Sequence, residues 1–524
     1  MGGECKGAAP NGSPSGRRDG FWVPLFVVVT GAFAAILNNT MVNVGLPKLQ
    51  VIFGVSTDQI QWVLTAFMLF SGVVIPVTGY LGRSFGVKRV YTLTVALFAL
   101  TSLLCAMAWS YGSLVVFRVF QGIAVGAIMP VSMTIIYQLV PPHRIGAALG
   151  VWGVSAMAAP AIGPTLGGYL MDHLGWHFLF LVNVPVGFVS ALLSYLLLPA
   201  SPPQAGRNSF DRTGFLFSTT GLFLVLLGLS QGHKEGWGSY YIVMVLTAGC
   251  FLLVLFVITE LDRPDPMLNL RVLAHPVFAL SVFVTTIMTV ALFGVIFLLP
   301  LYCQLLRGYT PLQTGLLLMP SGLASALAMP VSGFIFDRYG PRYPAVIGTL
   351  IATVSSFYLA ALDLNSSWRH IQMITAIRGL GIGLAMMPVT TAGMNVLPRQ
   401  VAGEASAIVN TFRQVAASFG IACLSTLLQD RQAYHRSILA EGLSAGTAGA
   451  YLAQPVLKGL GLGSAAGTAL LGRLVEQQAL VRAMQDTFLV AAWLGVVVVP
   501  LCLFVGNRAA APRTGAPVPG GREE

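Results

Sequence analysis

Charged residues are scarce in this sequence: Lys, Arg, Asp and Glu together make up only 9% of its 524 residues. Soluble proteins typically carry about 25% charged residues and about 45–50% apolar residues. Here the apolar fraction is 56% and the mean hydropathy is +0.78. The composition excludes an ordinary soluble globular protein and predicts a polytopic membrane protein.

The sequence also lacks the motifs of common enzymes and ATP-driven pumps. No lysine follows a glycine, so the phosphate-binding motif that ends in Gly-Lys is absent and an ATP-driven motor in this chain is excluded. The seven histidines form no metal-ligand cluster, and no Gly-X-Ser-X-Gly motif accompanies a plausible catalytic triad. The six cysteines are scattered without paired spacing. We therefore expect neither an enzyme nor a bound cofactor or metal ion.

Long apolar runs fill most of the chain. A helix that crosses a bilayer needs about 20 apolar residues, and fourteen runs with few or no charges meet this length. They lie at about 21–47, 60–81, 91–110, 112–140, 145–171, 176–198, 213–232, 239–259, 276–303, 312–336, 343–362, 371–397, 403–429 and 485–507. The pattern predicts an all-α protein with fourteen transmembrane helices.

The basic residues orient these spans. With the N-terminus in the cytoplasm, 17 of the 29 Lys and Arg residues fall on inner segments, nine on outer segments and three within spans. Cytoplasmic loops carry an excess of Lys and Arg, so we expect both termini to be cytoplasmic. The same bias explains the net charge of +11 without a nucleic-acid partner. Residues 430–484 are then expected to form an external loop with short interfacial helices.

Two segments of the first half of the chain are repeated in the second half. GYLGRSFGVKRV at 79–90 matches GFIFDRYGPRYP at 333–344, and GAIMPV at 126–131 resembles LAMMPV at 384–389. The spacings of 254 and 258 residues exceed six spans by about 50 residues, enough for two extra helices. We therefore divide the chain into a disordered tail (1–20), a six-helix half (21–200), two inserted helices (201–262), a second six-helix half with the external loop (263–507), and a tail (508–524).

Five motifs in this order resemble those of the major facilitator superfamily, and in particular its fourteen-span drug:proton antiporter group, which includes bacterial multidrug exporters. They are GYLGRSFGVKR (79–89), RVFQGIAVGAIMP (118–130), APAIGPTLGG (159–168), WHFLFLVNVPVG (176–187) and NTFRQ (410–414). The resemblance implies a multi-pass protein of the bacterial inner membrane, a secondary exporter of lipophilic or amphiphilic compounds that works by alternating access. We expect cationic substrates. A transporter of lipids or lipid-linked metabolites on the same scaffold is the alternative.

Polar residues inside the apolar runs are candidates for a substrate cavity. An intramembrane guanidinium is costly and almost always faces a polar interior, although Arg118 and Arg378 are close enough to a helix end to reach the interface instead. Asn38 and Asn39 lie in the middle of the first span, where each serves either the cavity or interhelical packing. The cavity candidates are Asn38, Asn39, Asn43, Gln61, Trp62, Arg118, Gln121, Asn395, Asn410 and Arg413.

Two further sets of residues are expected to support movement. The resemblance implies that the repeated loop holds the two halves together on the inner side, through Gly79, Gly82, Gly86, Lys88, Arg89, Asp337, Arg338 and Gly340. Arg83 stands where the family has an acid, so Asp337 is expected to be the better ion-pair residue. Small residues and prolines make the fifth span a kinked, closely packed hinge helix, through Gly153, Pro160, Gly163, Pro164, Gly167 and Gly168.

None of the 18 carboxylates lies near the middle of a span. Proton-coupled transporters usually carry a buried acid whose protonation changes with its surroundings. The family's first-span motif has an aspartate where this chain has Asn38, an amide that cannot titrate. Any proton coupling is therefore expected to use an edge carboxylate, Glu404 or Asp172, or to be absent. Besides substrates, protons and the bilayer, the sequence indicates no partner. We expect a monomer; the resemblance allows a periplasmic adaptor, but no residue pattern in the sequence indicates one.

Overall fold

The computed structural model describes residues 21–200, 210–263, 265–441 and 464–505, which form sixteen α-helices and no sheet. The predicted tails at 1–20 and 508–524 lie outside these residues. The helices are α1 (Trp22–Phe53), α2 (Thr57–Val74), α3 (Val77–Phe85), α4 (Val87–Ala106), α5 (Tyr111–Leu139), α6 (Ile145–His173), α7 (Phe178–Leu181), α8 (Asn183–Leu197), α9 (Arg212–Glu235), α10 (Tyr240–Asp262), α11 (Pro276–Leu301), α12 (Pro311–Tyr339), α13 (Arg342–Ala360), α14 (Trp368–Asn395), α15 (Ala402–Glu441) and α16 (Ser464–Phe504).

The helices confirm the prediction of an all-α protein with fourteen spans. Thirteen stretches in the described part of the chain are long and apolar enough to cross a membrane, with α7 and α8 together making one of them. The fourteenth is the pair α2 and α3, which is bent by 56°. Below, the inner end of a helix is the end at the side predicted to be cytoplasmic.

Side-chain caps fix where several spans begin at the outer side. Ser56 caps α2, and its hydroxyl accepts from the backbone N–H of Gln59 while the Gln59 side chain accepts from the Ser56 N–H. Ser110 and Thr310 form the same reciprocal arrangement at the starts of α5 and α12. These bonds satisfy N–H groups that have no partner within the helix, so the sequence itself sets these three boundaries.

The repeated inner loops turn at glycines. Gly86 separates α3 from α4 with φ of 84°, and Gly340 separates α12 from α13 with φ of 85°. Residues with a side chain rarely adopt this backbone conformation. The two positions are equivalent in the internal repeat, so one sequence pattern produces one turn in both halves.

The expectation of an external loop at 430–484 is wrong at both of its ends. Helix α15 continues to Glu441, and α16 begins at Ser464. Residues 430–441 and 464–484 consist largely of good helix formers such as Gln, Ala, Leu, Glu and Arg, and this favours two extended helices over a loop. They are joined by side-chain contacts, since Asp486 accepts from His435 at 2.8 Å and pairs with Arg431 at 3.3 Å. The Gly- and Pro-containing stretch 442–463 lies outside the described residues.

The inserted helices fill a seam between the two halves. Helix α9 packs against α2 of the first half through Leu226 and Leu69. On its other side Leu229 packs against Ala422 of α15. The indole N–H of Trp237, just after α9, donates to the Thr426 hydroxyl at 2.7 Å. The insertion therefore contacts both halves.

Helix α6, the predicted hinge helix, is packed closely between α1 and α12. A Cβ at Gly163 would collide with the Thr40 side chain, and one at Gly167 would lie 2.9 Å from the Cα of Met41. Toward α12, a Cβ at Gly150 would lie 2.7 Å from the backbone oxygen of Met329. Pro160 and Pro164 both lie inside the helix. Backbones approach closely where side chains are small, so these residues join the halves along α6 and α12.

Replacement of Gly167 by Ala should therefore destabilise the protein, because its methyl group meets backbone atoms of α1 that cannot move aside. We expect a cost of about 1–3 kcal/mol, the usual range for overpacking. Gly168→Ala is the matched control, since a Cβ there meets nothing within 4 Å. Thermal unfolding of the purified variants measures the difference, and equal melting temperatures would contradict this packing.

Candidate functional site

Arg118 is completely buried in the outer half of α5. Its Nη1 donates to the Asn38 amide oxygen of α1 at 2.8 Å and to the Gln121 side-chain oxygen at 2.7 Å. Its Nε donates to the backbone oxygen of Val63 in α2 at 3.1 Å. Three of the predicted cavity residues are thus brought together in one polar cluster, which we call the Arg118 cluster.

The Arg118 cluster contains a cation and no carboxylate. The Gln121 amide nitrogen donates to the Ser102 hydroxyl at 2.8 Å. The Arg118 guanidinium lies 4.2 Å from the centre of the Phe67 ring. Amide and hydroxyl dipoles together with an aromatic face stabilise the buried charge. Asn38 therefore has a defined task in the first span: its oxygen accepts from Arg118.

Arg378 lies close to the corresponding place in the second half, two residues beyond the position that the repeat pairs with Arg118. It lies in α14 ahead of the repeated Met-Met-Pro-Val segment, as Arg118 lies in α5 ahead of Ile-Met-Pro-Val. Only 7% of Arg378 is exposed, and its Nε donates to the Ser356 hydroxyl at 3.2 Å. Both arginines are held inside the bundle, and neither reaches the interface.

Asn410 and Arg413 lie on α15, one turn apart. Asn410 is buried and donates to the backbone oxygen of Ser406 at 2.9 Å. Its amide nitrogen also faces the Met133 sulfur of α5 at 3.9 Å, across the contact between the halves. Arg413 is partly exposed.

The remaining cavity candidates do not join the Arg118 cluster. Asn39 is partly buried, and its side-chain oxygen has no partner among the described residues. Gln61 is also partly buried, whereas Asn43 and Trp62 are exposed. Asn395 is partly buried at the inner end of α14. Asn38 and Asn39 thus face different surroundings, as adjacent residues of a helix must.

The inner ends of the two halves are joined by an ion pair between Arg83 and Glu404. Arg83 lies in the last turn of α3 and Glu404 lies in the first turn of α15; their side chains are 11% and 3% exposed. Arg83 also donates to the backbone oxygen of Met267 at 2.9 Å, in the segment that follows the inserted helices. One guanidinium of the first half therefore contacts the second half at two places, Glu404 on α15 and the segment that follows the inserted helices. We call this contact the inner latch.

Asp337 makes the equivalent contact from the second half. Its two carboxylate oxygens accept from the backbone N–H groups of Gly146 and Ala147, both at 3.0 Å. These groups lie at the start of α6, where the helix dipole favours a negative charge. In the second copy of the repeated segment the acid, Asp337, therefore belongs to the segment itself and caps the start of α6. In the first copy the loop carries Arg83, and the acid is on the helix.

Other inner contacts complete the closure. Arg399 donates to the backbone oxygen of Val140 at 2.9 Å, and the Ser406 hydroxyl donates to that of Pro130 at 2.8 Å. Gly79 packs against Glu404, where a Cβ would lie 3.3 Å from its Cα. A cavity of about 340 Å³ remains beside the inner latch, lined in part by Gly82.

Comparison with known proteins identifies the family. The model of the Major Facilitator Superfamily matches residues 28–421. The chain belongs to this superfamily. The transporter is 36% identical over 420 residues to the MFS-type transporter YhcA of Bacillus subtilis, and the aligned region covers 80% of this chain and 79% of YhcA. It is 32% identical to the multidrug resistance protein B homolog of Mycobacterium tuberculosis H37Rv, over 79% and 77% of the two chains.

Two further similarities agree with this assignment. The multidrug export protein EmrB of Haemophilus influenzae is 29% identical over 79% of this chain and 81% of its own. The solved structure of the proton:xylose symporter XylE aligns with a TM-score of 0.61 over 93% of this chain and 96% of that chain, at 13% identity. At this identity the structural likeness shows the fold alone.

Of the two coupling candidates, only Glu404 is buried in the transporter. Asp172 is paired with Lys48 at the outer surface, where the two side chains are 56% and 53% exposed. Exposed pairs contribute little, about 0–1 kcal/mol. Asp172 is therefore in an exposed ion pair in this conformation, and Glu404 is in a buried one.

The rest of the gating set divides into anchored and exposed residues. Lys88 donates to the backbone oxygen of Leu198 at 2.6 Å and so ties α4 to the end of α8. Arg89 and Arg338 are exposed. The expectation that Asp337 would be the better ion-pair residue is wrong, because Asp337 accepts from backbone N–H groups and Arg83 forms the inner latch. Opposite charges at 83 and 404 are the sequence signal that could have revealed this pair.

Proposed function

We propose that this transporter is a secondary exporter of amphiphilic compounds in the bacterial inner membrane, working by alternating access. The observation that carries the proposal is the set of contacts that closes the inner ends of the halves. The inner latch, Asp337 on α6 and Arg399 on Val140 all cross between the halves. They must break together for a central cavity to open inward. The names of relatives, multidrug resistance and multidrug export proteins, favour export of drug-like compounds.

The test is dye accumulation in cells that express the protein. Expression should lower the accumulation of lipophilic dyes at least severalfold, and Arg83→Glu, which breaks the inner latch, should remove this effect at equal protein levels. Unchanged accumulation across a broad panel of dyes would contradict the proposed export. Transfer of lipids alone, dependent on their headgroup, would select the lipid alternative.

We also propose that proton coupling depends on Glu404. Asn38 cannot titrate, and Glu404 is the buried carboxylate whose partner is on the other half. While the inner latch is closed Arg83 stabilises the anion; when it opens, Glu404 loses that partner, and protonation becomes more favourable. By the same linkage, a proton that reaches Glu404 from the outer side favours opening of the inner latch, and Glu404 then releases that proton to the inner side, so that protons move inward as substrate moves outward.

Proteoliposomes that record internal pH test this coupling. Wild-type protein should move protons when substrate is added, and Glu404→Gln should lose the proton flux but keep part of the substrate exchange, because the amide oxygen of Gln can still accept from Arg83 in the inner latch. Asp172→Asn is the control and should behave like wild type. A proton flux that persists in Glu404→Gln would rule out this assignment.

A further inference from the structure

Arg413 lies on the face of α15 that points into the bundle. Two turns later on the same face, a Cβ at Gly420 would lie 2.6 Å from the backbone oxygen of Val290 in α11. One turn earlier, Asn410 faces Met133 of α5. Residues three, four and seven apart share one face of a helix. Arg413 therefore lies between a contact with the first half and a contact with α11.

The guanidinium of Arg413 makes no ion pair or hydrogen bond with any residue that the structure describes. The other two arginines within spans differ, since Arg118 and Arg378 are buried and donate to neighbouring side chains. Arg413 is also partly exposed, as the other two are not. Of the three arginines within spans, Arg413 is therefore the one whose guanidinium is left without a partner among the described residues.

No carboxylate of the described residues neutralises this charge. The nearest acid on the same helix is Glu404, nine residues earlier and about 13 Å away along the axis. Glu404 is already paired with Arg83. Arg118 and Arg378 are two further cations in the bundle interior, and the partners described for them above include no carboxylate. The interior of the bundle therefore carries uncompensated positive charge.

We propose that Arg413 binds the anionic group of the exported compound, so that the substrates are amphiphiles with a carboxylate, sulfonate or phosphate group. A guanidinium donates two parallel hydrogen bonds to such a group, and the low dielectric of the bundle strengthens them. The polarisable Met133 side chain is buried one turn toward the inner side in this conformation, and when the halves separate it would offer an adaptable apolar surface to the rest of the molecule. This inference rests on the proposed export function and replaces the expectation of cationic substrates.

The test uses two fluorescent probes that differ only in the charged end, a dansyl-labelled undecanoate and the matching dansyl-labelled undecylamine. Binding to purified protein in phosphatidylcholine nanodiscs is followed by energy transfer from tryptophan to dansyl, with unlabelled competitor to define specific binding. Arg413→Gln should weaken binding of the anionic probe by at least about tenfold, since hydrogen bonds to charged groups contribute about 1.5–3 kcal/mol. Arg413→Lys should keep part of the affinity.

Arg369→Gln is the matched control. Arg369 is an exposed arginine at the outer end of α14, so its loss changes the net charge equally without touching the interior. It should bind both probes as wild type does. The proposal is overturned if Arg413→Gln binds the anionic probe as tightly as wild type, or if Arg369→Gln loses as much affinity. An equal loss for both probes would show a general packing defect and would also overturn it.

A phospholipid headgroup has the same anionic chemistry, and a second series with phosphatidylglycerol in the nanodiscs separates the two sources. If the anionic probe still binds through Arg413 when the nanodiscs contain phosphatidylglycerol, the ligand is a soluble amphiphile, as proposed. If phosphatidylglycerol abolishes binding of the probe, a lipid occupies the site and the proposal is overturned. Counterflow of the two probes separates this inference from the export function. Transport of the amine probe alone, unaffected by Arg413→Gln, would leave the exporter intact and refute the anionic substrate class.

Discussion

Reversing the charge of Arg83 will abolish transport, and reversing Glu404 in the same chain will restore much of it. In Arg83→Glu two carboxylates face each other in a buried contact between the halves. Losing one partner of a buried ion pair costs about 3–5 kcal/mol, enough to change the balance between two conformations by more than a hundredfold. Arg83→Glu with Glu404→Arg puts opposite charges back in place. Substrate transport into inverted vesicles, normalised to protein amount, measures both variants.

The restoration should be incomplete, because a glutamate at position 83 cannot donate to the backbone oxygens of Pro266 and Met267. Arg89→Glu is the control for charge reversal on the same loop, since Arg89 is exposed, and it should retain transport. A double variant no more active than Arg83→Glu alone would show that the pairing does not hold the halves together.

A second large effect is expected from Asn38→Asp. The new carboxylate would lie where the Asn38 oxygen now accepts from Arg118 at 2.8 Å, and the neutral cluster partner would become an acid. Burial favours the protonated form of the new carboxyl, whereas the Arg118 guanidinium favours the anion. Because these two effects oppose each other, small movements around Arg118 would change the protonation of the carboxyl. We expect this variant to gain a substrate-driven proton flux beyond that of wild type, together with a new dependence of transport on pH.

Asn43→Asp provides the matched comparison. Asn43 lies on the same helix but is exposed and takes no part in the Arg118 cluster, so an acid there is not coupled to movements around Arg118 and should leave both proton flux and pH dependence unchanged. Equal behaviour of the two variants would mean that the Arg118 cluster is not a coupling position. Proteoliposomes with an internal pH indicator make the measurement.

The sequence predicted most of the architecture because its strongest signals are local. Apolar runs of bilayer length gave the fourteen spans, and the repeated loop with Gly86 and Gly340 revealed the two halves. The helix ends within 430–484 are not predicted in this way, because Pro455, Lys458 and the many glycines of this stretch indicate a loop. Helix propensity and the pairing of His435 and Arg431 with Asp486 favour extended helices instead.

The site was less predictable because its contacts join distant parts of the chain. The residue types around Arg118 were identified, but their assembly depends on how α1, α2 and α5 pack. Arg83 and Glu404 are 321 positions apart in the sequence, and only the packing of the two halves brings them together. Asp172 and Glu404 look alike in sequence, as acids at span edges, and differ only in burial.

Entrance counterflow in proteoliposomes tests alternating access most directly, because it requires a carrier that exposes one site to each side in turn but needs no coupling ion. Liposomes containing the purified protein are loaded with an unlabelled amphiphile and diluted into a trace of the labelled compound. We predict a transient accumulation of label above its equilibrium level, lost in Arg83→Glu. Label that never exceeds equilibrium, for compounds that the folded protein binds, would contradict the account.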